Sequence, residues 1–234
     1  THYESLAVDV AAAFRDAYVR ADGTMTSDAQ TAYALAIVFD LLADDRRRAV
    51  AGARLADLVR AAGNRIATGF VGTPLVCDAL TMTGHTDAAY DLLLEQECPS
   101  WLYQVVQGAT TVWERWDAML PDGTVNPGTM TSFNHYALGA VADWLHRSVA
   151  GLAPAEPGYR RIRFAPRPGG GLTHASATQR TPYGETSISW HVEQDELRVE
   201  VVVPVGAIAE LDLPGAAREE LGHGAHTRAV PLSA

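Results

Sequence analysis

The sequence holds 234 residues with a formal net charge of −10, and all 18 of its basic side chains are arginine. That balance argues against nucleic acid as a partner, since phosphate binding needs clustered cations, and against polyanionic substrates; a neutral ligand such as a sugar suits it better. No apolar run reaches the roughly 18 residues that a membrane span needs, so no membrane partner is expected.

Residues 1 to about 150 read as helix after helix. Leu6, Val10, Phe14 (or Ala13) and Ala17 recur at helical spacing while Glu4, Asp9, Arg15 and Asp16 face elsewhere, an amphipathic helix ended by Asp22-Gly23. Ser27-Asp28 caps the next, whose stretch from Ala32 to Phe39 is apolar on every side and is expected to be buried all round. A third carries the stripe Ala51, Leu55, Leu58 and Ala62, with Arg46, Arg47, Arg54, Asp57 and Arg60 exposed. Thr73-Pro74 is an N-cap with proline at the first helical position, and it opens a helix running to Met82. Gly84 ends that helix, and Thr86-Asp87 starts one bearing Tyr90 and Leu93-Leu94. Ser100 to Val106 is a short helix. The last is expected from about Ser132 to Val149, with Phe133, Ala137, Ala140, Val141 and Trp144 on one face.

Apolar inner helices alternating with amphipathic outer ones describe two concentric layers, an α/α toroid. About seven helices fill roughly half of a twelve-helix (α/α)6 barrel, and no fixed-period repeat points to a solenoid instead. After Gly151 the composition changes. Pro154, Pro157, Pro166 and Pro168 with Gly169-Gly170-Gly171 rule out long helices. Thr186–Trp190 and Leu197–Val203 alternate like strands around a turn at Gln194-Asp195-Glu196, and Ile208–Leu213 alternates again before Pro214-Gly215. The last twenty or so residues carry Gly222, His223 and Gly224 and end in one weak strand. The organisation read from the chain is a partial (α/α)6 barrel over 1–150 and an antiparallel β-sandwich over 151–234.

The segment richest in chemistry is Gly108–Asp117, where Glu114 sits between Trp113 and Trp116 beside Arg115. Sugars stack their C–H faces on indoles and pair their hydroxyls with carboxylates and guanidinium groups. A carboxylate held among indoles is partly desolvated, which raises its pKa and suits acid–base work. The competing reading makes both tryptophans core residues and Glu114–Arg115 a structural ion pair. Asn134 and His135, in Ser132–Tyr136, either donate to sugar hydroxyls from a helix N-terminus or serve as cap and core. Trp101 and Tyr103 either line a wall or pack. Thr68–Pro74 has spaced glycines without the phosphate-binding G-x-G-x-x-G pattern and reads as a tight turn into a helix. Cys77 and Cys98 are too few for a disulfide framework and read as buried thiols, and neither a zinc pattern nor any cofactor signature is present.

Taken together, Gly69-Phe70-Val71-Gly72-Thr73-Pro74, Ser100-Trp101-Leu102-Tyr103, Gly108–Trp116 and Ser132–Ala137 resemble glycoside hydrolase family 78, the α-L-rhamnosidases. Pro157-Gly158-Tyr159, Thr181-Pro182-Tyr183-Gly184 and Trp190 resemble that family's C-terminal β-domain. The resemblance implies an inverting removal of terminal α-L-rhamnose from glycosides, with two carboxylates flanking the scissile bond. It assigns Glu114 as general base and His135 as a contact to the rhamnose ring, with Trp113, Trp116 and Phe133 as walls for the sugar. Asn134, Arg115 and Trp101 complete the candidate substrate-binding set, and a rhamnose-containing glycoside is the implied partner. The family's general acid lies in an Asp-, Arg- and Glu-rich segment upstream, and no counterpart precedes Gly69. The chain is therefore read as beginning after the acid, poorly active alone, and prone to self-association through the open barrel face.

Two other readings stay open at this point: another α/α-barrel enzyme on carbohydrate, such as a glucoamylase-like hydrolase or a lyase, and a non-catalytic carbohydrate-binding fragment. The start Thr-His-Tyr-Glu-Ser carries no signal-peptide pattern. For the chain as it stands the cytoplasm is favoured over secretion, and the compartment of a longer parent is open.

Overall fold

The computed structural model describes residues 1–232; Ser233 and Ala234, the end of the expected β-domain, lie outside the described residues. The chain divides into two compact units, with the break between Val141 and Ala142.

The first unit holds α1 (His2–Tyr18), α2 (Gln30–Val38), α3 (Asp45–Ala61), α4 (Thr73–Met82), α5 (Thr86–Leu94) and α6 (Trp101–Val106), and α7 (Val141–Trp144) begins at its last residue. Helix α2 packs on α3 and α4, and α4 packs on α5. The α3 stripe is buried at Ala51, Leu55, Ala56 and Val59, while Leu58 is half-buried. Gly52 belongs to that face because a Cβ there would lie 2.3 Å from Cβ of Thr83, so only glycine lets α3 come so close. Helix α2 departs from the expectation of complete burial. Tyr33, Ala34, Ala36 and Ile37 are sealed, but Leu35 is half-buried and Phe39, just past its end, is exposed. Asp28 does not cap it either. Ala29 holds the N-cap position without a side-chain hydrogen bond, while the Asp28 carboxylate accepts from Arg54 and from the Tyr33 hydroxyl.

Helix α1 forms as its spacing predicts, with a capping box between Thr1 and Glu4. None of its residues is buried: Leu6 is 47% exposed and Val10 56%.

The second unit starts in the remainder of α7 and one π-type turn, Leu145–Ala150. Gly151 stops it in a left-handed conformation (φ 94°), and a Cβ there would lie 2.4 Å from the Pro166 nitrogen. Eight strands follow among the described residues: β1 (Leu152–Pro154), β2 (Arg161–Phe164), β3 (His174–Thr181), β4 (Gly184–Glu193), β5 (Glu196–Val203), β6 (Ile208–Leu211), β7 (Glu219–Leu221) and β8 (Gly224–Pro231). They make two four-stranded sheets, ordered β1-β2-β6-β7 and β3-β4-β5-β8. Every pairing is antiparallel except β2 with β6. The β4–β5 turn is Gln194-Asp195, both at positive φ (50° and 63°), as a two-residue hairpin turn of the type matching strand twist requires. Leu197, Val199, Val201 and Val203 of β5 are buried together with Ile188 and Trp190 of β4, and the Trp190 indole donates to the Val149 carbonyl at 2.9 Å. Strands β1 and β7, of three residues each, are too short to show an alternation, β2 alternates over only four residues, and β3 alternates small and polar residues.

Candidate functional site

The site lies in the first unit, in irregular chain between α6 and α7. Two irregular stretches are tied together there by backbone hydrogen bonds. The Glu114 N–H donates to the Ser132 carbonyl at 2.9 Å, and the His135 N–H to the Val112 carbonyl at 2.8 Å. Residues 132–136 are therefore not the start of a helix. Helical turns begin only at Ala137, because the side chains satisfy the local backbone donors themselves: Ser132 Oγ accepts from the Asn134 N–H and His135 Nδ1 from the Ala137 N–H, both at 3.2 Å. Asn134 and His135 sit on a loop, and no helix N-terminus aims them at a ligand.

The chain bends at Glu114 and Arg115 and turns at Trp116 and Asp117, and this separates the two tryptophans flanking Glu114. Trp113 is 2% exposed, clustered with Tyr103 and Ala118 and met edge-on by Phe133 at 5.3 Å. Those two rings belong to the core. Glu114 faces an open pocket of about 370 Å³ that it shares with Thr68, Gly69, Phe70, Arg115, Trp116, Met130 and Leu138. Its Oε2 accepts from the Ser132 N–H at 3.2 Å, and Oε1 takes no partner among the described residues. Trp116 is half-buried in the wall, its indole donating to the Thr68 carbonyl at 3.2 Å. Trp101 stands edge-on behind it at 5.6 Å and donates to the Leu138 carbonyl at 2.8 Å, so it supports the wall from the core side.

The His135 ring is stacked between Phe70 (4.9 Å) and Tyr136 (5.1 Å). Because Nδ1 accepts a backbone N–H, the neutral ring carries its proton on Nε2, which is then a donor. The Asn134 amide is exposed. Arg115 does not pair with Glu114. Its guanidinium grips Asp117 through two bonds of 2.6 and 3.1 Å, and that hydrogen-bonded charge holds the Asp117 carboxyl below its ordinary pKa. Of the two carboxylates in the segment, one is committed to an arginine and the other offers an oxygen to the pocket.

The structure thus brings Glu114, Trp116 and Arg115 to one pocket, sets His135 against its Phe70 wall, and leaves Trp113, Phe133 and Trp101 in or behind the core. Reading the sequence for sites missed Phe70, Met130, Leu138 and the Ser132 N–H. Only Phe70 carried a signal, as an aromatic inside a glycine-spaced turn. Cys77 is buried, which pushes its thiol up, and Cys98 is half-buried; the two are free.

Residues 1–149 match the model of the bacterial α-L-rhamnosidase six-hairpin glycosidase domain, and residues 151–228 match that of the bacterial α-L-rhamnosidase C-terminal domain. An α-L-rhamnosidase of Formosa agariphila is 43% identical over 216 residues, 91% of this chain and 23% of that protein. The native α-L-rhamnosidase of Aspergillus terreus superposes with a TM-score of 0.95 at 41% identity, over 98% of this chain and 27% of that one. The Streptomyces avermitilis α-L-rhamnosidase, solved in complex with L-rhamnose, superposes with a TM-score of 0.92 at 38% identity, over 97% of this chain and 24% of that one. The chain spans only about a quarter of the length of these relatives. With matched domains along most of its length, the chain belongs to the bacterial α-L-rhamnosidase family.

Proposed function

We propose that this chain supplies the general base and part of the sugar pocket of an α-L-rhamnosidase that releases terminal α-L-rhamnose with inversion, residues 1–150 being barrel and 151–234 the C-terminal domain. The observation that carries the reading is the Glu114 carboxylate, held at one oxygen by the Ser132 N–H and open to the pocket at the other. A relative bound to L-rhamnose supports the choice of sugar. In the reaction Glu114 takes a proton from a water whose oxygen bonds to the anomeric carbon. The bond from that carbon to the glycosidic oxygen breaks, and the leaving oxygen receives a proton from a carboxylic acid on the opposite face, about 6.5–9.5 Å from the base. His135 donates from Nε2 to a ring hydroxyl, and Trp116 and Phe70 take the apolar face.

Glu114 is the only carboxylate among the residues lining the pocket. The acid must therefore come from another part of the barrel, and the chain alone is expected to turn over poorly. Its unburied α1 face favours self-association.

The test is p-nitrophenol release from p-nitrophenyl α-L-rhamnoside by this chain and by a polypeptide extended upstream through the whole barrel. The longer form is expected to be active and to lose about 10²–10⁴-fold in kcat on Glu114→Gln. Full turnover by the Gln variant removes Glu114 from its role, and cleavage only of some other glycoside removes rhamnose as the substrate.

A further inference from the structure

One side chain of the pocket has no structural reason to be where it is. Met130 is 52% exposed and sits at φ 61°, a left-handed conformation costly for any residue but glycine, yet it lines the pocket beside Glu114, Phe70 and Trp116. A flexible thioether held half in water adds little to a core, whereas against a ligand it adapts to an apolar surface.

What holds Met130 there runs through Arg115. Arg115 Nη1 donates to the carbonyl of Thr129, the residue just before Met130, at 3.1 Å. The same guanidinium is fixed by Asp117, whose Oδ2 also accepts from the Asn126 amide at 2.9 Å. Asn126 in turn accepts the Gly128 N–H at 2.9 Å through Oδ1 and donates its own N–H to the Ala118 carbonyl at 2.9 Å. Gly128 completes the clamp, since a Cβ on it would lie 2.7 Å from Arg115 Nη1. Of the Arg115 donors, Nη1 reaches this loop directly at Thr129, while Nε and Nη2 go to Asp117, which in turn holds Asn126.

From this geometry, and resting on the reading of the pocket as a rhamnosyl site, we infer that Arg115 is a positioning residue and that Met130, the side chain it places, determines specificity for the 6-deoxy sugar. The Met130 thioether with Phe70 and Leu138 forms an apolar surface that receives the sugar's methyl edge. A hydroxymethyl group there would bury a hydroxyl among groups that cannot hydrogen-bond it. Arg115 acts on the ligand only through Met130.

The experiment uses the chain itself, labelled with ¹³C at its methionine methyls and titrated with methyl α-L-rhamnoside and with methyl α-L-mannoside, which differs by a hydroxyl on C6. Rhamnoside is expected to move the Met130 methyl and the Trp116 indole signals while that of Met82, on α4, stays still. Met130→Ala, a change at a half-exposed position, is expected to weaken rhamnoside binding about 3- to 10-fold and mannoside binding less, so that the preference narrows. Arg115→Gln is expected to return the Met130 methyl to its free-chain position and reproduce that loss. The double variant should bind no more weakly than either single one, because the two residues act in series. Additive losses would mean that Arg115 touches the ligand directly, and that overturns the inference. So does a rhamnoside shift at Trp116 with none at Met130, an outcome that leaves the sugar site standing. If rhamnoside moves neither signal, in this chain and in the polypeptide extended upstream through the whole barrel, the sugar-site reading fails and the inference goes with it.

Discussion

Helix α1 and strand β5 are both amphipathic in sequence and end differently in the structure. The apolar positions of β5, Leu197, Val199, Val201 and Val203, are all buried, whereas α1 buries none of Leu6, Val10, Phe14 and Ala17. Periodicity states which face of an element needs covering; it does not state whether the cover lies within the same stretch of chain. For β5 the cover is local, within its own unit. The α1 stripe marks a surface whose partner these residues do not supply.

Emptying the covered side should have the largest effect. Trp190 is enclosed and its indole N–H is satisfied by the Val149 carbonyl. Trp190→Ala should therefore destabilise the second unit by about 3–5 kcal/mol, through lost burial and the cavity left behind. Urea denaturation followed by the circular dichroism of the chain measures it. A loss under about 1 kcal/mol would mean that the sheets close around something other than this core.

A smaller effect is expected from charge in the same unit. Asp212, 15% exposed, receives Arg167 at 3.1 Å, Arg163 at 3.2 Å and Arg218 at 3.4 Å. Burial alone would raise its pKa, but the three guanidiniums outweigh it and hold the carboxyl below its ordinary 3.8. A carboxyl depressed by folding stabilises the fold above its unfolded pKa, and that contribution disappears as pH falls through the lower folded value. Asp212→Asn should cost about 1–3 kcal/mol at neutral pH, and the gap to the parent chain should close as the pH is taken below 3.8. A gap that stays constant down to acid pH would show that the cluster acts by shape and not by charge.

How much of this was legible in the sequence follows from the range of the forces involved. Strands β4 and β5 were legible because alternation and a short turn are local, and so was α6, whose Ser100 side chain accepts from the Tyr103 N–H; α4 and α5 lie where their signals place them, but Gly72 and His85, not Thr73 and Thr86, hold their N-cap positions, without side-chain caps. Strand β3 was not legible, since it alternates small residues with polar ones, Ala175, Ser176, Ala177 and Thr178, and carries no large apolar side chain to mark a face. Ser132–Tyr136 was misread as a helix start because serine and histidine side chains compete for the backbone donors that a helix would leave open. At the candidate site, the setting of Glu114 among indoles singles it out in the sequence, and the structure places its carboxylate on the pocket. Which tryptophan faces the pocket depends on the pairing of residues 112–114 with 132–135, and no property of the segment itself states it. Met130 was invisible for the same reason: Arg115, Asp117 and Asn126 place it, and although Arg115 reads as a candidate sugar contact, nothing in the sequence links it to a residue 15 positions on.

The smallest expected effect is the one that tests the comparison itself. Leu6→Asn with Val10→Asn removes two apolar side chains from the α1 stripe, both already in contact with water. If the stripe is uncovered within this chain, the pair should change unfolding stability by no more than about 0.5 kcal/mol. The same two substitutions should shift the chain toward monomer in sedimentation velocity, because exposed apolar surface is what drives copies together. The matching pair in β5, Leu197→Asn with Val199→Asn, places two polar groups in a closed core and should unfold the unit outright. A destabilisation above about 2 kcal/mol from the α1 pair would instead mean that the helix packs its stripe against its own unit in solution. The contrast between α1 and β5 would then vanish, and with it the argument that these residues leave a face of the barrel uncovered.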